Sequence, residues 1–255
     1  MIRRPVPTVL LGLLVLVAAC QGGGGVARPS GAGVITPSAG QPGVYVAIGA
    51  SETLGIGAAH PNEEAWPQLF YRSYLPRAVV FYDLGVAAET TAAAIQQELP
   101  AALALRPTLV TIWLNVDDIA AGVPVSLYEQ RLGDLVRQVR TGGRTRVLVA
   151  NTPFLNKLPA YAACGPVPPA GTPPCPLPGL LLPSATELNV LVDGYNAAVA
   201  RVAAQEGATL VDLHAQGEVP VAHPDYVSSD GFHPNAAGYA AIAALFGSAY
   251  RAAPA

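Results

Sequence analysis

A serine, a histidine and an aspartate stand at positions from which they could together activate a nucleophile. Ser51 follows the apolar run 45–48 and lies in a glycine-bounded turn. His233 and Asp230 are three residues apart in one later loop, "SSDGFHPN". A serine hydroxyl attacks a carbonyl carbon when a base takes its proton, and a carboxylate on the other ring nitrogen orients a histidine for that step. These residue types predict acyl transfer through a triad.

Acyl transfer also needs hydrogen-bond donors for the oxygen that becomes negatively charged. The backbone N–H groups of Ser51 and Gly85 are candidates, because each follows a predicted strand. Asn115, Asp117 and Asp118 follow another. Each residue alone has a simpler interpretation: a serine after a strand is usually a helix N-cap, and a glycine often serves only its turn. Their joint occurrence at successive strand ends favours a catalytic site.

The elements that must position these residues alternate along the chain. Apolar runs predict strands, and amphipathic stretches between them predict helices. Such alternation indicates a parallel sheet covered on both faces, and ligands of these sheets bind beyond the carboxyl ends of the strands. The predicted strands span residues 44–48, 78–82, 108–113, 145–150 and 208–213.

Local signals predict where several helices begin. Ser126 with Glu129, and Ser184 with Glu187, have the spacing of N-terminal capping boxes. Pro234, directly after His233, suits the first position of the last helix. In that position it would hold the histidine at a rigid helix start.

Composition excludes several classes of protein. The chain has 255 residues, of which 51% are hydrophobic and 12% charged, and its net charge is −3. This length allows one domain with a substantial core. Neither a disordered chain nor a nucleic-acid-binding protein has such a composition. We expect a monomer that takes an ester substrate as its partner and binds no nucleic acid.

The N-terminus has the features of an export signal. Arg3 and Arg4 precede the apolar stretch 9–19, which is too short for a comfortable membrane span. The small residues before Cys20 resemble the lipobox of bacterial lipoproteins, which implies cleavage after residues 1–19 and a lipid on Cys20. The alternative is a plain secretory signal followed by an incidental cysteine. We expect a cell-envelope lipoprotein, anchored at the extracytoplasmic face of a membrane.

A tether follows the lipidated cysteine and precedes the folded domain. Residues 20–42 are rich in glycine, proline and serine, and a flexible chain of this length reaches on the order of 25 Å. That reach is enough to hold a domain off a bilayer. The folded domain is predicted to span residues 43–255.

A proline-rich excursion, residues 153–183, interrupts the alternation of strands and helices. It contains Cys164 and Cys175, which in an exported chain predict a local disulfide; a zinc pair is the alternative, although no neighbouring ligand completes it. Loops of this length are often functional lids, and a rigid surface insert is an equally valid interpretation.

Four stretches resemble the successive blocks of the SGNH/GDSL hydrolases: "IGASETLGIG", "DLGVAAETT", "WLNVDDI" and "DGFHPNAAGY". The resemblance covers about residues 44–250. It implies a flavodoxin-like three-layer α/β/α fold with a central parallel sheet of about five strands. It also implies ester hydrolysis that needs neither metal nor cofactor. Ser51 would be the nucleophile, Gly85 an oxyanion donor, Asp230 the orienting acid and His233 the base.

The third block departs from the family pattern Gly-x-Asn-Asp. Asn115 stands at the position of its glycine and Asp117 at that of its asparagine, and an ionised carboxylate cannot donate to an oxyanion. The loss of one such donor typically costs about 2.7–4 kcal/mol. Either Asp117 is protonated and donates, or Asn115 supplies the amide. We expect the second, because residues 115 and 117 point to the same side if the segment is extended.

Three functions are compatible with these residues. The first is a serine esterase for lipid, short-chain acyl or acetylated glycan esters. The second is a binding lipoprotein that has kept the fold and lost turnover through Asp117. The third is a metal-dependent phosphoesterase using Asp117, Asp118, Asp230 and His233, which leaves Ser51 unexplained.

Overall fold

The computed structural model of the chain describes most of the predicted folded domain. The predicted signal peptide, Cys20 and the tether lie outside the described residues. Within that part of the chain, no helix combines the length and the apolar character that a membrane crossing needs. The described residues are 43–252, apart from 141–142, 166–167, 169, 173, 176–181 and 216–222.

Five strands form one parallel sheet in the order β2-β1-β3-β4-β5. This is the flavodoxin-like order, in which the direction of winding reverses between β1 and β3. The predicted fold class and all five predicted strands are confirmed. The carboxyl ends of β1 and β3 therefore border the crevice where a ligand is expected. The strands are β1 (Val44–Gly49), β2 (Val80–Asp83), β3 (Leu109–Trp113), β4 (Arg146–Ala150) and β5 (Thr209–Val211).

Helices cover both faces of the sheet. Residues of β1 alternate between the two layers, because successive side chains of a strand point to opposite faces. Val46 and Ile48 pack with α7 and α9, whereas Tyr45 and Ala47 pack with α3 and α10. The helices are α1 (Ser51–Leu54), α2 (Pro61–Glu64), α3 (Trp66–Tyr74), α4 (Thr91–Gln96), α5 (Glu98–Leu105), α6 (Val116–Ala120), α7 (Val125–Val139), α8 (Pro159–Ala163), α9 (Ala185–Glu206) and α10 (Ala236–Ala252).

One of the two predicted capping boxes is present. Ser184 Oγ accepts from the Glu187 N–H at 3.3 Å, and the Glu187 carboxylate accepts from the Ser184 N–H at 2.8 Å. The box at Ser126 is wrong, because α7 begins one residue earlier and has no side-chain cap. Glu129 instead accepts two hydrogen bonds from the Arg201 guanidinium on α9, at 2.8 and 2.7 Å.

The proline-rich excursion is covalently closed. Cys164 and Cys175 form a disulfide with an S–S distance of 2.04 Å. Because both sulfur atoms are in this bond, neither is available as a thiolate ligand for zinc. Cys164 directly follows α8, and the carbonyl of Gly231 accepts from the Ala160 N–H of that helix at 2.9 Å. The excursion is thereby attached to the loop that carries His233.

Candidate active site

The loop between β5 and α10 holds Asp230 and His233 in direct contact. Asp230 Oδ2 lies 2.7 Å from His233 Nδ1. Asp230 Oδ1 accepts from the Phe232 N–H, the His233 N–H and the Ser228 hydroxyl at 2.8, 2.9 and 2.8 Å. Burial alone raises the pKa of Asp230, but these hydrogen bonds outweigh it and hold the pKa below its usual value. A carboxylate only accepts, so Nδ1 carries the proton and Nε2 has the free lone pair.

Pro234 does not begin the last helix, contrary to the sequence prediction. Helix α10 starts at Ala236, and the Asn235 side chain accepts from two N–H groups of its first turn at 3.0 and 3.1 Å. Asparagine is a stronger N-cap than its neighbours, which explains the shift. Pro234 instead forms an antiparallel bridge with Val227. His233 is therefore held by a paired loop and not by a helix end.

Ser51 lies at the carboxyl end of β1, as the first residue of α1. The preceding turn is tightly held, since the Gly49 N–H donates to Glu98 Oε1 at 2.9 Å. A Cβ at Gly49 would lie 2.1 Å from Thr53 Oγ1, so this position has no room for a side chain. The Ser51 hydroxyl donates to Glu52 Oε2 at 3.2 Å. The nucleophile candidate thus has an acidic neighbour within hydrogen-bond distance.

The segment after Ser51 packs directly against the histidine loop. The Ile56 N–H donates to the Ser51 carbonyl at 3.0 Å, and the Ile56 carbonyl accepts from the Tyr239 hydroxyl of α10 at 2.5 Å. Gly57 has a positive φ of 97°, and a Cβ there would lie 2.8 Å from the Cβ of His233. The structure therefore brings the serine turn and the histidine loop together at one edge of the sheet.

Gly85, the second oxyanion candidate, lies against the serine turn. A Cβ at Gly85 would stand 3.0 Å from Thr53 Cγ2. Its N–H donates to Asp83 Oδ1 at 2.9 Å, so this donor is occupied in the structure. Sequence reasoning missed Asp83, although an aspartate two residues before a glycine is a typical signal for a turn closed by its own side chain.

The Asn115 side chain is buried and its amide is directed to the end of β4. Its side chain is 2% exposed, and its amide nitrogen lies 3.4 Å from the Ala150 carbonyl at the end of β4. The prediction depended on an extended segment, and that condition is wrong because residues 116–120 form helix α6. Residues 115 and 117 consequently do not share a side as they would in a strand.

Asp117 lies half-buried in the first turn of α6. Burial raises its pKa to about 6, and the nearby carboxylates of Glu52 and Asp118 act in the same direction. His233 lowers the pKa of Asp117, so these two side chains are close enough to interact electrostatically. Near pH 6 a substantial fraction of Asp117 is therefore protonated and able to donate a hydrogen bond.

Asp118 has a structural role. It is fully buried, and its two oxygens accept from the N–H and the hydroxyl of Thr91, both at 2.8 Å. The phosphoesterase interpretation needed Asp117, Asp118, Asp230 and His233 to converge. Within the part of the chain that the structure describes, no three His, Cys, Asp or Glu side chains are arranged to hold a metal ion.

A cavity of about 350 Å³ opens beside these residues. Glu52, Val116 and Phe232 contribute to its wall, and each is adjacent in sequence to a candidate site residue. Most of the wall is apolar, and Glu52 is 8% exposed. Sequence reasoning gave Glu52 no role. The available signal was an acidic residue placed directly after a buried strand and its turn.

Comparison with known proteins agrees with this architecture. The model of the GDSL-like Lipase/Acylhydrolase family matches residues 47–241. No curated protein matches the chain. The solved structures similar to it include a lipase/acylhydrolase from Enterococcus faecalis, with 16% identity, a TM-score of 0.60, and coverage of 84% of this chain and 98% of that one.

Two further solved structures are similar. One is a psychrotrophic esterase, EstA, from Pseudoalteromonas sp., with 17% identity, a TM-score of 0.58, and coverage of 82% and 96%. The other is a member of the lipolytic protein G-D-S-L family from Veillonella parvula, with 14% identity, a TM-score of 0.57, and coverage of 82% and 99%. Where that family name has Gly-Asp-Ser-Leu, this chain has Gly49-Ala50-Ser51-Glu52. It therefore keeps the glycine and the serine and replaces the aspartate and the leucine.

Proposed function

Because the chain belongs to the GDSL-like lipase/acylhydrolase family and is an ester-bond hydrolase, we propose that it is a serine esterase with a Ser51–His233–Asp230 triad. The observation that carries the proposal is the 2.7 Å contact between Asp230 Oδ2 and His233 Nδ1. This contact leaves Nε2 as the proton acceptor. The packing of Gly57 on the histidine loop supports it, since that loop then lies beside the serine turn.

In this mechanism, the Ser51 hydroxyl turns from Glu52 to His233 Nε2, which takes its proton as Oγ attacks the ester carbonyl carbon. The tetrahedral intermediate then expels the alcohol, which receives that proton from His233. A water molecule, deprotonated by the same nitrogen, hydrolyses the acyl-enzyme and regenerates Ser51. Asp230 stays ionised throughout and stabilises the imidazolium.

The proposed oxyanion donors are the N–H groups of Ser51 and Gly85 and the protonated carboxyl of Asp117. Asp117 is chosen over Asn115, whose amide is directed to Ala150. Substrate would have to replace Asp83 as the acceptor for the Gly85 N–H. The raised pKa of Asp117 makes a donating carboxylic acid available without any change in the fold.

The proposed substrates are carboxylic esters with an apolar group. A cavity of about 350 Å³ lies at the small end of the roughly 300–1,000 Å³ typical of small-molecule sites. Its predominantly apolar wall favours a lipid or short-chain acyl ester over an acetylated glycan, which would present many hydroxyl groups.

We propose further that the enzyme acts outside the cytoplasm, on a lipid anchor at Cys20. The Cys164–Cys175 bond supports export, because such bonds persist in oxidising compartments. Fractionation of cells that express the full chain tests the anchor. The protein is expected in the membrane fraction, and Cys20→Ala is expected to release it or to prevent its processing. A wild-type protein found wholly in the soluble fraction would contradict the anchor.

A fluorophosphonate probe and a series of nitrophenyl esters of graded chain length test the esterase. The wild-type protein is expected to be labelled at Ser51 and to turn over the esters, whereas Ser51→Ala and His233→Ala are expected to lose both signals. Circular dichroism of each variant shows whether it is folded. Absence of labelling in a folded wild-type protein would support the binding lipoprotein instead.

A further inference from the structure

The wall of the cavity combines aromatic rings with a single carboxylate, a pairing that neutral esters do not require. Trp113, Tyr226 and Phe232 contribute rings, and Glu52 is the one aspartate or glutamate among the described lining residues. Aromatic faces attract cations through their quadrupole, and a quaternary ammonium group is a ligand that such arrangements recognise. Glu52 places a carboxylate in the wall of the same cavity.

Glu52 has no cationic partner in the part of the chain that the structure describes. No lysine, arginine or histidine nitrogen there lies within 4.0 Å of its carboxylate oxygens. Glu52 Oε2 accepts a hydrogen bond from the Ser51 hydroxyl at 3.2 Å, and only 8% of the residue is exposed. A carboxylate so little hydrated is unfavourable unless it is paired. A charged group supplied by the ligand would provide that pairing.

Other charges near the cavity favour the same kind of ligand. Asp117 lies close enough to Glu52 for their carboxylates to interact. His223 is the one histidine, lysine or arginine among the described lining residues, and its Nδ1 lies 3.8 Å from an Asp225 oxygen. Its ring stacks on Tyr226 with the centroids 4.4 Å apart, so His223 is engaged by Asp225 and Tyr226. Glu52 remains the carboxylate that faces the cavity without a cationic partner among the described residues.

We propose that the cavity selects esters that carry an alkylammonium group, with Glu52 as the counter-ion and the aromatic rings as its cation–π partners. This inference rests on the proposed esterase function. A neutral chain of the same shape would bury the same apolar surface and leave the Glu52 carboxylate without a cationic partner.

Two pairs of esters that differ only in charge test the proposal. A choline ester is compared with its 3,3-dimethylbutyl analogue, which places the charge in the alcohol. A nitrophenyl ester of 4-(trimethylammonio)butanoate is compared with that of 5,5-dimethylhexanoate, which places it in the acyl group. In at least one pair, kcat/KM is expected to favour the cationic ester by about 10-fold or more. In Glu52→Gln the ratio of kcat/KM for the cationic ester to kcat/KM for its neutral analogue is expected to fall by at least about fivefold.

Asp134→Asn is the matched control, because it removes a carboxylate from the partly exposed outer side of α7 and changes net charge equally. Its ratio is expected to equal that of the wild type. Hydrolysis of both esters of each pair at equal rates, or a preference unchanged in Glu52→Gln, would overturn the cation site and leave the esterase intact.

A binding measurement separates failure of this proposal from failure of the esterase. Tetraethylammonium binding to the wild-type protein, followed by calorimetry, is expected to weaken about 10-fold in Glu52→Gln. Glu52-dependent binding without turnover of any ester would keep the cation site and reject the esterase. Absence of binding together with absence of a charge preference would reject the cation site.

Discussion

The two halves of the candidate site are built in different ways. In the Asp230–His233 loop, the hydrogen bonds to the Asp230 carboxylate from the described residues all come from within residues 228–233. The Ser51 turn has acidic neighbours from separate parts of the chain. Glu52 directly follows Ser51 and accepts from its hydroxyl. Glu98 accepts from the Gly49 N–H in the turn, and Asp83 accepts from the N–H of the neighbouring Gly85.

This difference shows where the site is conventional and where it is not. The base half presents one oriented acid to one histidine, the arrangement expected of a hydrolase. The half that contains Ser51 collects carboxyl groups, and in the proposed mechanism these must be neutralised by protons or by a ligand, because a negative charge would develop near them. Two kinds of variant therefore test this difference between the halves. One kind changes the charge of a carboxyl group near Ser51, and the other changes the distance between the Ser51 turn and the His233 loop.

The largest effect on turnover is expected from Asp117→Asn. With a pKa of about 6, Asp117 is only about 1% protonated at pH 8, whereas an asparagine donates at every pH. If turnover needs this donor, kcat/KM of the variant is expected to exceed that of the wild type by up to about 100-fold at pH 8. Near pH 5 the two are expected to agree within a fewfold. Steady-state pH profiles on one nitrophenyl ester measure this.

Asn115→Ala is the companion variant. Because the Asn115 amide is directed to Ala150, its loss is expected to leave the shape of the pH profile unchanged. A loss of turnover in Asn115→Ala, together with no gain in Asp117→Asn at pH 8, would show that Asn115 and not Asp117 is the donor.

A smaller effect is expected from Gly57→Ala, which separates the two halves of the site. The added methyl group would meet the Pro234 carbonyl at 2.6 Å and His233 Cβ at 2.8 Å, so the histidine loop must move. Misplacement of a catalytic group by a fraction of an ångström is expected to lower kcat about 10-fold. Single-turnover kinetics with a nitrophenyl ester measure this step.

Gly122→Ala provides the control for backbone strain. Gly122 also has a positive φ, of 66°, but a Cβ there meets nothing within 4 Å. Both variants therefore force alanine into the left-handed region, and only Gly57→Ala adds the clash. Equal kcat values for the two variants would show that Gly57 does not position His233.

The sequence was sufficient to predict the architecture because the inner strands β1, β3 and β4 are buried, although the edge strand β2 is largely exposed. Mostly apolar runs such as 109–113 favour central strands of a covered sheet, and their alternation with helices indicates a parallel order. Helix starts were less predictable. Ser126 and Ser184 carry the same local signal, and the difference between them lies in Glu129, which pairs with Arg201 from a helix distant in sequence.

The same division applies to the candidate site. Asp230 and His233 are three residues apart, so a local pattern could suggest their contact. Glu98 accepts from the Gly49 N–H although the two residues are 49 positions apart in the sequence. A local sequence pattern cannot predict such a contact. The prediction for Asn115 was wrong in its premise because the family pattern gives residue types and does not give the start of α6.

The smallest effect on turnover, and a measurable one on stability, is expected from Glu98→Gln. Glu98 is 2% exposed, and burial raises its pKa to about 8; the hydrogen bond from Gly49 opposes this shift, while Glu89 and Asp83 add to it. Since the folded-state pKa exceeds the unfolded one, the folded state holds the proton more tightly. The contribution of Glu98 to the free energy of unfolding therefore falls as the pH rises from about 4.5 to 8.

Glutamine keeps an acceptor for the Gly49 N–H and cannot ionise. Relative to the wild type, Glu98→Gln is therefore expected to gain on the order of 3 kcal/mol of stability between pH 5 and pH 9, measured by urea unfolding. Glu63→Gln, on the exposed side of α2, is the control and is expected to gain nothing. A stability difference between Glu98→Gln and wild type that stays constant with pH would contradict a proton on Glu98. Glu98 would then be ionised while buried beside the serine turn. In that case the two halves of the site would differ less in how they accommodate a buried carboxylate.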